Sequence, residues 1–290
     1  MVSEVIDRSA RFHGILDRLT EKSIDDYYNP YRLFEWPEQL PEDMWWMSPE
    51  LTTTHGTEIA DRLGREQLYA LSRQESINFY SLNVHGIREL LVEVVNRIHT
   101  KGFETPSEFF HHFIGEENEH MWFFAEFCLR YGNGKMYRQP AVTGGPAPSR
   151  EVESLLVFAR IMIFEELVDH FNSTMAADDR LHETIRAINR IHHQDESRHI
   201  AFGRELVQLL FDEVRRTASN TELDDISRYV RRYMTHSFES LYHPQVYRDA
   251  GLDNPHEVRR ALLESDARAR AEETTFRKTS KFLRKTGILR

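Results

Sequence analysis

Apolar residues recur every three to four positions through most of this chain, the period of a helix with one buried face. From residue 3 to 20 the stripe Val5, Phe12, Ile15 and Leu16 runs between charges and predicts an amphipathic opening helix. The rhythm fails from Tyr27 to Thr54, where Asn29-Pro30, Pro37, Pro41 and Pro49 alternate with Trp36, Trp45 and Trp46. Prolines at that density exclude a regular helix, so this stretch reads as an aromatic connector, either a strap on the core or a lid over a site. A proline-free run from about Glu58 to His99, rich in Leu, Ile, Val and Glu, predicts a long helix that stops at Thr100-Lys101-Gly102. Thr105-Pro106-Ser107-Glu108 restarts one, with Thr105 as cap and Pro106 at the first helical position, running to Tyr131 and ending at Gly132-Asn133-Gly134.

Residues 132 to 149, with Gly144-Gly145-Pro146-Ala147-Pro148, make a long crossover. A third helix from about Ser149 to Met175 carries Leu155, Phe158, Ile161, Phe164 and Leu167, and a fourth follows Ala176-Asp179 from about Arg180 to Arg216. Two more are expected, Glu222 to Tyr242 and His256 to Leu283, with Pro244 and Pro255 bracketing the loop between them. The fold class is therefore all-α. Residues 1–290 are expected to form one domain: an N-terminal helix and connector (1–57), a bundle of four long helices joined by short, long and short connections (58–216), and C-terminal helices (217–290).

The bundle carries two cassettes of one kind, Glu116-Glu117-Asn118-Glu119-His120 and Asp195-Glu196-Ser197-Arg198-His199. Each reads acid-Glu-x-x-His, a spacing that sets one carboxylate and one imidazole on the same helix face. Two Glu-x-x-His pairs, joined by one Glu from each of two further helices, hold two metal ions in ferritin-like bundles with one crossover. The remaining carboxylates can be sought by height. About a turn centred near residue 103, the level partner of Glu117 is Glu89; Glu75 shares nearly that face but lies about 21 Å away at 1.5 Å per residue. Glu89 is preferred, with Glu75 the lesser candidate. About a turn near residue 179, the partner of Glu196 falls near residue 162, where Glu165-Glu166 follows the apolar run Ile161-Met162-Ile163-Phe164. An acid in such a stripe is expensive to bury unless neutralised, as a dication would do. Glu166, four residues before His170, also suits an ordinary surface pair.

His192 lies four residues before Glu196 and seven before His199, on the same face, so the second cassette extends to His-x-x-x-Glu-x-x-His. The candidate ligands are Glu89, Glu117, His120, Glu165, His192, Glu196 and His199. Four carboxylates and three imidazoles suit two Fe ions, with Mn as a substitute, better than Zn, Mg or Ca. Glu116 and Asp195 read as outer partners, each able to hold the histidine of the opposite cassette; Arg198 either balances that outer shell or faces solvent. No catalytic residue beyond the metal ligands stands out.

Composition narrows the partners. The net charge is −10 and the pI about 5.8, which argues against nucleic acid or an anionic membrane. The basic tail, Arg277, Lys278, Lys281, Arg284, Lys285 and Arg290, is expected to dock on the acidic body or a neighbouring subunit. No apolar run approaches the ~20 residues of a membrane span and no secretory signal core is visible, so a cytoplasmic protein is expected. Cys128 is the only cysteine, which removes disulfides and iron-sulfur clusters, so electrons must come from an external donor.

With these residues in place, the chain resembles the AurF-type non-haem diiron oxygenases, the p-aminobenzoate N-oxygenase family, over roughly residues 58 to 216. The interval from Glu89 to Glu117 is a little shorter than that family leads one to expect. The resemblance implies a ferritin-like di-iron site with a third histidine, O2 activation, and oxygen transfer to a small molecule, often an arylamine nitrogen. A homodimer is expected. Phe79, Leu82, Phe113, Phe124, Phe158, Met162 and Phe164, with Asn78 and Asn83 nearby, line the faces around the ligands, either as an arylamine pocket or as plain bundle core. The alternatives are a hydroxylase or desaturase of an aliphatic or carrier-bound substrate, and a non-catalytic ferritin-like iron protein.

Overall fold

The computed structural model describes residue 6 and residues 9–134, 136–138 and 148–290. The start of the opening stripe and Gly144-Gly145-Pro146-Ala147 of the crossover lie outside the described residues. Helix α1 spans Ala10–Asp25, capped by Ser9, whose hydroxyl accepts from the Phe12 amide. It ends five residues beyond the Thr20 that the pattern suggests. A single turn, α2 (Pro30–Leu33), and a 3₁₀ turn (Pro49–Leu51) are the regular pieces of the proline-tryptophan connector.

That connector is a strap. Trp46 donates its indole N–H to Pro41 O at 2.9 Å, the Tyr131 hydroxyl donates to Pro37 O at 2.7 Å, and Trp46 packs edge-on against Phe127 and Tyr131. Thr53 donates its amide and hydroxyl to the buried Glu75, whose carboxyl is pushed up to about 8 by burial against those hydrogen bonds. Glu75 is thus committed to holding the strap.

The long stretch after the strap is interrupted once. Helix α3 (Glu58–Arg62) ends before Gly64, and α4 runs from Arg65 to Val95. The turn that follows uses left-handed backbone at His99 and Gly102, and Ser107 Oγ accepts the His99 amide at 2.8 Å. Helix α5 (Ser107–Tyr131) therefore starts two residues beyond the expected Thr105 cap, with Pro106 at the boundary. Helices α6 (Arg150–Ala177) and α7 (Glu183–Thr217) are joined by a short turn in which Arg180 binds Asp178 and Glu50, and His182 caps α7.

Helices α4 and α5 form one antiparallel pair and α6 and α7 the other. Phe79 stacks on Phe171, and Gly86 lies against Phe164, so α4 also runs antiparallel to α6 and hence parallel to α7. The C-terminal segment holds α8 (Asn220–Glu239), α9 (Pro244–Asp249), α10 (Pro255–Leu263), α11 (Asp266–Thr275) and α12 (Arg277–Thr286). The last expected helix is thus three, because Ser265 caps a new start and Phe276 breaks the line between α11 and α12. The basic tail docks on its own body: Leu283, Ile288 and Leu289 are buried and Arg290 pairs with Asp224 at 2.9 Å.

Gly86 makes a very close contact in the bundle. A Cβ there would meet atoms of the Phe164 ring at under 3.0 Å, a distance that no packed pair sustains. Gly86→Ala should therefore destabilise the fold by about 1–3 kcal/mol through displacement of Phe164. Phe164→Ala alone should cost about 3–5 kcal/mol. The double variant should lose clearly less than the sum, because the shared clash is gone. Thermal unfolding of the four proteins measures this, and strict additivity would show that Phe164 does not respond to residue 86.

Candidate metal centre

The Glu-x-x-His spacing does in the fold what it promises in the sequence. One donor atom from each of Glu117 and His120 on α5 and Glu196 and His199 on α7 fall within 4.8 Å of one another, all buried. His199 Nδ1 lies 2.7 Å from Glu117 Oε1 and 3.5 Å from Glu196 Oε2, and His120 Nδ1 lies 3.5 Å from Glu117 and 3.6 Å from Glu196. His192 joins from the same helix, its Nε2 2.9 Å from Glu196 Oε1. Glu165 on α6 is buried beside Glu196 and Glu117, whose negative charges act on it. Six of the seven expected ligands are thus assembled.

The seventh is not. Glu89 is exposed and lines a surface cavity shared with Arg160 and Tyr233. Counting from the turn placed it near the right height but on the wrong face: nine residues beyond Tyr80, which points into the bundle, is half a turn out of phase. Glu75, the lesser candidate, is engaged by Thr53. Among the described residues α4 contributes no carboxylate to the centre.

Around the six donors runs an outer ring of acids. Asp195 accepts the His120 Nε2 proton at 3.0 Å and Glu116 accepts that of His199 at 2.7 Å, so each cassette's leading acid holds the opposite cassette's histidine. Both Nδ1 atoms are thereby turned inward. Arg198 is buried and bridges Glu116 (2.8 Å), Asp195 (2.6 Å) and Asp26 (3.1 Å), which settles it as an outer-ring cation. Asn172 on α6 meets His192 Nδ1 with its side-chain amide, leaving Nε2 for the centre. Tyr28, from the strap, donates to Asp195 at 2.9 Å.

Asn172 was legible in principle, seven residues after Glu165 on one face. Tyr28 and Asp26, about 170 residues from their partners, carry no sequence signal. Glu166 is no surface pair: it is buried against Arg204 and Thr279, both at 2.7 Å. His193 is exposed beside Asp169.

The donor set fits a metal pair by its unmet needs. Both oxygens of Glu117 and Glu196, one of Glu165, the Nδ1 atoms of His120 and His199, and Nε2 of His192 are buried and face only one another, with no hydrogen-bond partner outside the cluster. Groups left so in an apolar interior are each costly, and convergent ones mark a cation site. Without metal, protons hold the charges apart: burial, with the charges of Glu196 and Glu117, raises Glu165 well above the usual carboxylate range. Burial opposes the shift at His120, yet Glu117 and Asp195 push it up to about 10. Against the same burial cost, His192 and His199 hold Glu196 well below its ordinary value. Phe113 packs on His199 (ring centroids 4.5 Å apart) and Phe124 on His192 (4.8 Å), closing the site to water.

The family model of the p-aminobenzoate N-oxygenase AurF matches residues 10–287. No curated protein matches the sequence. Among solved structures, one single-residue variant of an R2-like ligand-binding oxidase with an aerobically reconstituted Mn/Fe cofactor aligns with a TM-score of 0.56 at 13% identity, covering 95% of this chain and 93% of that one. A second variant of an R2-like ligand-binding oxidase, with the same cofactor, gives 0.56 at 14%, covering 92% of each chain. At that identity the likeness speaks for the helical fold. The chain belongs to the AurF family, and it is a non-haem dimetal oxygenase.

The buried donors yield a direct expectation for metal uptake. Glu196→Ala and His120→Ala should each lower metal content well below two ions per chain, read by elemental analysis, with helicity retained. Metal must displace protons from His120, so uptake should release protons and tighten as pH rises. The sign for the metal-free chain is opposite: a histidine raised from about 6.5 to about 10 stabilises the fold fully below the first value. That contribution is lost as pH climbs through the second. Metal-free protein should therefore lose melting temperature over that window while loaded protein does not; parallel curves would remove His120 from the centre.

Proposed function

We propose that this AurF-family member carries two iron ions, with manganese as a substitute, held by Glu117, His120, Glu165, His192, Glu196 and His199. With them it oxidises a small molecule, the nitrogen of an arylamine in the first instance. The observation that carries this reading is the convergence of six buried donors with no other partner, three of them imidazoles. An iron pair supplies O2 activation and the redox equivalents for oxygen transfer. The chain supplies the rest.

Glu116, Asp195 and Asn172 fix the three rings so that one bare nitrogen of each faces inward. Arg198 offsets the two outer acids, which keeps the ring assembled in a dry interior. Phe113, Phe123 and Phe124 exclude water from the donors. Substrate has a route in the cavity of about 380 Å³ between α4, α6 and α8, lined by Gly86, Glu89, Arg160, Ile161, Phe164 and Tyr233. Ile161 and Phe164 flank Glu165 on α6, so displacement of the Phe164 ring opens the way inward. Glu89 then serves at the mouth, where its carboxylate favours an amine.

Of the other expected aromatics, Phe79 stacks on Phe171 and Phe158 on Phe110 within the core. Among the described residues no helix is long and apolar enough to cross a membrane. On this reading residues 1–290 form one ferritin-like domain, acting in the cytoplasm as a homodimer with an external electron donor.

The test is to load the protein anaerobically with Fe(II), mix it with O2, and follow the optical spectrum while arylamines and aliphatic substrates are added. A coloured species that arylamines discharge, with one oxygen atom gained on nitrogen by mass spectrometry, is the expected result. Discharge by aliphatic substrates alone, with oxidation at carbon, would replace this reading with a hydroxylase. His192→Ala should keep the fold and much of the iron but alter the spectrum and lifetime of that species; an identical trace would move His192 out of the ligand set.

A further inference from the structure

The open question is what α4 presents to the metal pair in place of a carboxylate. Tyr80 fixes the register: its hydroxyl accepts from Asn189 Nδ2 on α7 at 2.8 Å, and its ring stacks on Phe124 of α5. Asn189 is one turn before His192, and Phe124 one turn after His120. Because α4 runs parallel to α7 and antiparallel to α5, one turn onward from Tyr80 comes level with both histidines. That position is Asn83. Phe79 and Gly86, which pack on Phe171 and Phe164, direct their side of α4 to α6. Asn83 falls between that side and the one carrying Tyr80, and so faces the bundle axis.

Its side chain is completely buried. The amide N–H donates to Phe79 O at 2.8 Å, a partner that only the nitrogen can satisfy, so the orientation of the amide is set. The oxygen, Oδ1, is buried with no partner. One turn further along α4 on this side, Gly86 and Ile87 carry no side-chain donor.

We infer that Asn83 Oδ1 is a metal ligand, standing where the fourth carboxylate of such a bundle belongs. The inference rests on the dimetal reading and specifies its asymmetry. Since α4 packs on α5, Asn83 serves the ion that His120 serves. A neutral amide oxygen binds a divalent metal less strongly than a carboxylate does, and the three carboxylates Glu117, Glu165 and Glu196 leave one of four positive charges uncompensated. The two ions therefore bind with different affinities, the one beside Asn83 more weakly.

Anaerobic titration of the metal-free full-length chain with Mn(II) or Fe(II), followed by calorimetry and elemental analysis, tests this without reference to turnover. Wild type should take up two ions in two distinguishable steps. Asn83→Asp, which restores the charge, should tighten the weaker step at least tenfold and bring the two together. Asn83→Leu should stop at one ion per chain with an unchanged far-ultraviolet spectrum. If Asn83→Asp leaves both affinities as in wild type, or Asn83→Leu still binds two ions, the assignment is overturned. Should Asn83→Leu not fold, Asn83→Asp decides alone, since a purely structural amide would gain nothing in affinity from a buried charge. Wild type binding fewer than two ions overturns the dimetal reading itself, and this inference with it; two ions in wild type and unaltered variants overturn only the role of Asn83.

Discussion

Everything in this molecule depends on placing three carboxylates and three imidazoles where water cannot reach them. Buried charges of that density are tolerated only when paired or metal-bound, and here the pairing among them is left incomplete by the spacing. Two helices offer a carboxylate and an imidazole one turn apart, a third offers Glu165, and the donors meet at the axis because the helices are long and the turns between them short. The bundle is then less a scaffold onto which a site was added than a shell whose core only a cation completes.

The outer ring explains how such a core can fold before any ion arrives. His120 and His199 each lean on an acid from the opposite helix pair, His192 leans on Asn172 of α6, and Arg198 ties both acids together with Asp26 from the end of α1. The strap adds Tyr28 to Asp195 and is tied to α4 through Thr53 and Glu75. N-terminal residues that no helical period connects to the site thus govern the orientation of its rings. Damage to the strap should be felt at the metal, even though none of its residues is a ligand.

How far the sequence carries the reading depends on how local each relationship is. Glu117 with His120, and His192 with Glu196 and His199, are defined within two turns of one helix, so period alone places them. Glu165 needed only an apolar stripe around it to be conspicuous. Glu89 failed because height was matched and face was not; the hydrophobic pattern of α4, buried almost all round from Tyr69 to Ile87, gives no stripe by which to choose a face. The break of the final helix at Ser265 and Phe276 was likewise hidden, since a capping serine inside a charged run looks like any surface serine.

Glu165 and Glu166 show the same limit at its finest scale. Adjacent in sequence and both buried, they are turned about 100° apart by the helix, and that rotation gives them unrelated fates. Glu165 faces other carboxylates, and its charge is relieved only by a proton or a metal. Glu166 faces Arg204 of α7, which neutralises it, and Thr279 of the C-terminal layer, which hydrogen-bonds it. The C-terminal helices are therefore more than a cover: Thr279 on α12 grips the same turn of α6 that presents Glu165 to the centre. A metal held by Glu165 would pull on a helix whose next residue is gripped from behind by Arg204 and Thr279, which resists rotation of α6.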